Sequence, residues 1–201
     1  MTPNRNRRDL GQAFPIYIVM VAGLLFLALA FFAVGKASAL RNGAQGAADA
    51  SALAAAQTVR EEFEAPFIAA LWTNSIDEFL NTPFAPACGA AQGLASANDA
   101  TVEDCYPGFG RDRDSMTVKV RGTDSVDSPV LPGSNGTQAT ARATAVIDFG
   151  CTWVPVDLND DGVPDIYYFT CPNGAVEIRP SSPPPWATVS KILFDVHLVD
   201  R

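Results

Sequence analysis

"FPIYIVMVAGLLFLALAFFAV", residues 14–34, carries no charge over 21 positions. At about 1.5 Å per residue, such a run matches the roughly 30 Å hydrocarbon core of a bilayer, so it reads as a transmembrane helix. Pro15 falls in its first turn, where a missing N–H costs little. The alternative is a cleaved signal peptide, because Ala37-Ser38-Ala39 has the small-x-small form of a cleavage site. The run is longer than the usual apolar segment of such a signal, which favours retention. Arg5, Arg7 and Arg8 precede it, and the positive-inside rule places residues 1–13 in the cytoplasm as a basic tail. The expectation is a single-pass protein of the cell membrane, with its N-terminus cytoplasmic and its C-terminal part extracytoplasmic.

Working outward, residues 35–65 form an Ala-rich extension of the same helix. It contains no proline, and alanine is the best helix former. Gly35, Ala39, Gly43, Ala47, Ser51 and Ala55 recur every four residues, a ridge of small side chains that permits close helix packing. Two partners remain open for this ridge: another helix, or the protein's own head domain. Pro66 should end or kink the rod.

Residues 66–201 then form the head. "FIAALWTNSIDEFL" (67–80) has helical periodicity, with Ile68, Leu71, Trp72, Ile76, Phe79 and Leu80 on an apolar face read as core. A short, weakly helical Ala-rich segment follows, and Cys105 is expected to open a loop. "SMTVKVRG" (115–122) and "QATARATAVIDF" (138–149) alternate as half-buried strands and are expected to pair antiparallel. Pro129, Pro132 and Asn135-Gly136 punctuate their connection. Asn135-Gly136-Thr137 fits both turn chemistry and a glycosylation sequon. "SSPPPW" (181–186) reads as a polyproline spacer and "ILFDVHLVDR" (192–201) as a final strand. The fold class is therefore α+β: a long N-terminal transmembrane α-helix followed by a small head with antiparallel strands.

The chain carries a net charge of -8, with an uneven distribution. From Asn42 onward, 9 Lys and Arg face 21 Asp and Glu, giving 9 - 21 = -12. Such a head repels nucleic acid and anionic membrane surfaces, so neither is expected as a ligand. All four cysteines lie beyond the apolar run, which agrees with an oxidising compartment. Cys88 with Cys105 and Cys151 with Cys171 is the simplest of three connectivities, each pair closing a short local loop.

"DLNDDGVPD" is the most specific local motif. Asp157, Asn159, Asp161, Val163 and Asp165 occupy positions 1, 3, 5, 7 and 9 of an EF-hand-type calcium loop, with Gly162 at the sharp turn. Position 12, a bidentate Glu in EF-hands, is Tyr168, so a helix-loop-helix hand is not expected. The spacing resembles the calcium loops of extracellular β-propeller repeats and, less closely, dockerins. A structural calcium ion is one reading; the other is a β-hairpin tip kept soluble by its aspartates and bridged at its base by Cys151 and Cys171.

Catalytic constellations are scarce. The single histidine, His197, sits in the alternating final strand and reads as a surface or half-buried residue. No nucleophile elbow, phosphate loop, dinucleotide fingerprint, zinc spacing or redox Cys-x-x-Cys occurs. A non-enzymatic role is expected; a hydrolase released after Ala39 is the weakest alternative, since no nucleophile-base pair can be named.

The join "AVGKASALRNGAQGAADASALAAAQ", following a span that begins near "GQAFPIYIV", resembles the N-terminal segment of Tad-domain proteins. These are the TadE/TadG-like components of Flp (tight adherence) pilus assembly, and the similarity is strongest to the actinobacterial TadG-related type. It covers roughly residues 8 to 57, with "TARATAV" at 140–146 as a fainter echo. The resemblance implies a membrane-anchored minor pilin or assembly factor that meets other Tad/Flp pilus or secretion components through its N-terminal helix. Type IV prepilins are cut after a glycine and carry Glu at the fifth mature position. Here Gly11 is available, but the fifth residue after it is Ile16.

Overall fold

The absence of proline between Ile16 and Ala65, together with the alanines, gives one helix, α1 (Ala13–Glu62), that runs unbroken from the apolar span into the head. A computed structural model describes residues 13–126 and 136–199. The disruption by Pro66 falls where its chemistry predicts. Proline has no N–H for the Glu62 carbonyl, and α1 ends at Glu62. Phe63 still donates to Val59 O (3.2 Å) and Phe67 to Phe63 O (2.9 Å), so α2 (Glu64–Trp72) continues the direction of the chain with only a local break.

The second helix read from the sequence is in fact two, α2 and α3 (Ile76–Leu80). Asn74 adopts φ 49°, Ser75 N donates to Ala70 O (2.9 Å) and Asn74 N to Leu71 O (3.3 Å). This is a Schellman termination, with asparagine in the left-handed position that glycine usually fills. Next come α4 (Cys88–Ala97), β1 (Ala100–Gly108), β2 (Arg113–Val126) and β3 (Thr137–Phe149), then β4 (Thr152–Val156), β5 (Ile166–Cys171) and β6 (Gly174–Ile178). The described chain closes with α5 (Trp186–Leu193) and β7 (Phe194–Leu198).

Among the described residues these strands form two antiparallel sheets, in the orders β1-β2-β3-β7 and β4-β5-β6. Two sequence expectations need correction. Cys105 lies inside β1, paired with Val118, and does not open a loop. The final segment also begins differently: Ile192 and Leu193 end α5, and the strand starts at Phe194.

The larger sheet packs against α1 because the facing side chains are matched in size. In the register of β2 with β3, Met116 stands opposite Ala145 and Val118 opposite Ala143. Large residues beside small ones leave a shallow surface for α1, whose Ala48, Ala52, Ala55 and Ala56 are fully buried. Alanine on both partners lets the helix axis come close to the sheet, where dispersion contacts are dense. Helix α4 packs on both α1 and β1.

Above the alanine seam the core becomes aromatic. Phe67 lies within 5.5–6.2 Å, ring centre to ring centre, of Phe79, Phe169, Trp186 and Phe194. Two polar tips are satisfied within this region: Tyr167 OH donates to Leu71 O (2.8 Å), and Trp186 Nε1 donates to Arg60 O (3.2 Å). The latter occupies one of the last-turn carbonyls that a helix end leaves without an internal partner.

Both disulfides are present as paired in the sequence reading: Cys88–Cys105 joins α4 to β1, and Cys151–Cys171 bridges the start of β4 and the end of β5.

Candidate functional site

The ridge of small residues on α1 is divided along its length. Ala47, Ser51 and Ala55 are buried against the head, at 1 %, 0 % and 0 % exposure. Gly35, Ala39 and Gly43, on the same four-residue repeat, are exposed. A side-chain carbon added at Gly35, Gly43 or Gly46 would meet nothing within 4 Å. The head therefore takes up the upper half of the ridge and leaves the lower half open. The boundary falls at Gly43 and Ala44, beside a hollow of about 150 Å³ that Ala39, Leu40 and Gly43 share with Asn98, Asp99 and Asp124 at the lower edge of the head.

Below that boundary the apolar run is exposed along almost its whole length, with Phe14, Val19, Phe31 and Phe32 all above 70 %. In its most apolar stretch only 6 % of residues are buried. A core helix of a soluble domain would be mostly covered, and this one is not. It is the one helix among the described residues that is long and apolar enough to cross a membrane. The basic residues Arg5, Arg7 and Arg8, the candidate processing position Gly11 and the sequon's Asn135 lie outside the described residues. Ala39, the other candidate processing position, is an exposed residue within α1.

The acidic motif forms the loop between β4 and β5. Its curvature comes from side chains folding back on their own backbone. Asp157 accepts from Gly162 N (2.8 Å) and Asn159 N (3.2 Å), Asn159 Oδ1 from Asp161 N (3.0 Å), and Asp161 Oδ1 from Val163 N (2.8 Å). Asp165 accepts from Leu158 N at 2.8 Å and closes the turn. Asp160 (φ 57°) and Gly162 (φ 87°) take the left-handed conformations that the tight turn requires. The Gly162 N–H, with further backbone donors, holds the Asp157 carboxyl below the usual range. Four of the five sequence-selected positions thus meet within one hydrogen-bonded loop through side-chain oxygens, while Val163 takes part through its N–H. Among the described residues, no group of three or more His, Cys, Asp or Glu stands in a metal-holding arrangement.

His197 lies on β7, with Nδ1 3.0 Å from Asp195 Oδ2 and Nε2 3.8 Å from Asp148 Oδ2. Arg113 pairs with the same Asp148 at 2.5 and 2.8 Å. No nucleophile accompanies the histidine in these contacts. On β1, Glu103 pairs with Lys119 and Arg121 across β2, and hydrogen bonds from these two cations lower its carboxyl pKa.

Sequence reasoning did not show where the ridge divides. The alanines on either side of Gly43 look alike, and the residues that bury one half come from β2, β3 and α4, far along the chain. The signal available was the small-large pairing of β2 and β3, which marks a sheet built for a close helix.

Residues 11–58 match the family model Tad, described as Flp pilus-assembly TadE/G-like. The matched segment stops four residues before the end of α1 and includes both halves of the ridge. The similarity noted in the sequence at residues 8 to 57 thus has an independent counterpart, and it supports involvement in Flp pilus assembly. No curated protein and no solved structure matches the chain.

Proposed function

We propose that this protein is a non-enzymatic, membrane-anchored component of an Flp/Tad-type pilus-assembly or secretion machinery, a minor pilin-like subunit or an assembly factor. The observation that carries the reading is the coincidence of the Tad match with α1, an unbroken helix whose apolar half is exposed and whose Ala-rich half is docked on its own head. In this reading residues 14–34 cross the cell membrane once, the basic tail is cytoplasmic and the head is extracytoplasmic. The open half of the ridge, Gly35, Ala39 and Gly43, meets a helix of another pilus or secretion component, since small side chains let two helix backbones approach closely. In-cell photocrosslinking from position 39 tests it. Recovery of pilus or secretion components is expected, with none from position 55 beneath the head. Recovery of lipid alone from position 39 would sink the reading.

A second reading, a cell-surface calcium-dependent interaction module, is supported by the loop at Asp157–Asp165, where Gly162 makes the turn that such loops require. Calcium would be structural there, held by Asp157, Asn159, Asp161, the Val163 carbonyl and Asp165. Titration of the purified protein decides it. A rise in Tm with calcium at about millimolar levels is expected of an extracellular module, and an unchanged Tm would remove the reading.

A further inference from the structure

Away from the rod and the acidic loop, the head contains a pocket of about 90 Å³ whose wall includes Phe63, Phe79, Phe84, Phe149, Phe194 and Asp114. Its rings are mutually fixed. Phe63 lies 5.5 Å from Phe79, 5.9 Å from Phe84 and 5.3 Å from Phe194, and Phe149 lies 5.4 Å from Phe194. The pocket is therefore a pre-formed aromatic hollow, with Arg111, Asp112 and Asp114 around the start of β2 on its wall.

The polar groups at this pocket are of one sign once the existing ion pairs are counted. Arg111, on the wall, is engaged by Asp77 at 3.1 Å, and Arg113, which lies off the wall, by Asp148. Asp112 and Asp114 remain without a cation among the described contacts. Among the described contacts, Asp114 accepts one hydrogen bond, from Gly110 N at 3.3 Å. Burial without a counter-charge pushes its carboxyl up to about 6. A carboxylate set among phenyl rings is an unfavourable arrangement for the empty site and a favourable one for a bound cation. The ring faces carry negative quadrupole potential and attract ammonium groups, and the carboxylate supplies the charge-assisted hydrogen bond. A neutral donor gains only the hydrogen bond, and an anionic guest gains neither.

Size narrows the guest further. At about 90 Å³ the pocket is smaller than a cavity of about 150 Å³ that admits benzene, a size that suits a short linear chain. We propose that this pocket binds a primary ammonium group on a short alkyl stem, the stem among the five phenylalanines and the ammonium at Asp114. The same chemistry occurs in a lysine side chain of a partner protein and in a free alkylamine. The proposal stands independently of the pilus reading.

Calorimetric titration of the full chain in detergent micelles tests it, with n-butylammonium as probe, n-butanol as the uncharged control and an end-capped Gly-Gly-Lys-Gly-Gly peptide as the second arm. Saturable binding of n-butylammonium is expected, with n-butanol and the Asp114→Asn variant each at least about tenfold weaker. Phe84→Leu, which keeps an apolar side chain there, should also weaken the amine, because it removes a ring face without removing the charge. A peptide that binds more tightly than n-butylammonium identifies a partner's lysine as the guest; equal or weaker peptide binding identifies the free amine. Absence of saturation by either amine, or equal affinity for n-butanol, or unchanged affinity in folded Asp114→Asn protein, overturns the proposal.

Discussion

The two halves of α1 have nearly the same small-residue repeat and opposite surroundings. In the upper half, Ala47, Ser51 and Ala55 are sealed beneath β2, β3 and α4, whereas in the lower half Gly35, Ala39 and Gly43 face outward. The difference shows that a ridge of small residues specifies closeness of approach and not the identity of the partner. Where the protein's own sheet has small residues to match, as at Ala143 and Ala145, it takes the position itself. Below the reach of that sheet, the same chemistry is left for something else.

The comparison breaks most readily at its aromatic ends. Phe67 is 0 % exposed and Phe31 75 %. Replacing Phe67 with alanine should destabilise the head by about 3–5 kcal/mol in denaturant unfolding, while Phe31→Ala should leave that transition in place. A comparable loss from Phe31→Ala would mean that the lower rod is packed on the head after all. Next in size, Ala52→Leu should cost about 1–3 kcal/mol by overpacking the seam. Gly43→Leu, with open space around it, should leave the Tm of the head unchanged.

A smaller and opposite effect is expected at Gly46, an exposed position on the upper half. Gly46→Ala should stabilise by about 0.5–1 kcal/mol through helix propensity alone. If it destabilises, that face of the upper half has a close neighbour. The last effect concerns pH and lies off the rod. Asp114 has its carboxyl raised from 3.8 to about 6 in the folded state. The folded protein then binds more protons than the unfolded one between those values, so this group's contribution to stability falls as pH rises across that window. Asp114→Asn should flatten that part of a Tm-against-pH profile, and an unaltered profile would contradict the burial of the carboxylate.

How much of this was legible in the sequence depended on how local each signal was. The apolar run, the alanines and the cysteine spacing are short-range features, and α1 and both disulfides follow from them. The β2–β3 pair was readable because alternation persists over both strands. By contrast, β1 includes Asp104 and Pro107, residues that strands disfavour, and it is tolerated because β1 is an edge strand with an irregular register between Val102 and Asp104. The break between α2 and α3 depends on the backbone conformation of one asparagine, which periodicity does not register. The acidic motif was visible as a spacing, and its turn is present. The aromatic pocket could not be assembled in advance, because its rings come from the junction of α1 and α2, from α3 and beyond, and from β3 and β7.

The uninterrupted course of α1 also has a mechanical consequence. At 1.5 Å per residue its 50 residues extend about 75 Å. No loop between the apolar span and the head can stretch when the two are pulled apart. Tension applied to the head therefore passes along the helix axis and loads the alanine seam in shear, so that the contacts from Ala44 to Val59 must slip together and cannot peel away one at a time. The rod couples displacement of the head directly to its apolar end, as a strut does and a tether does not.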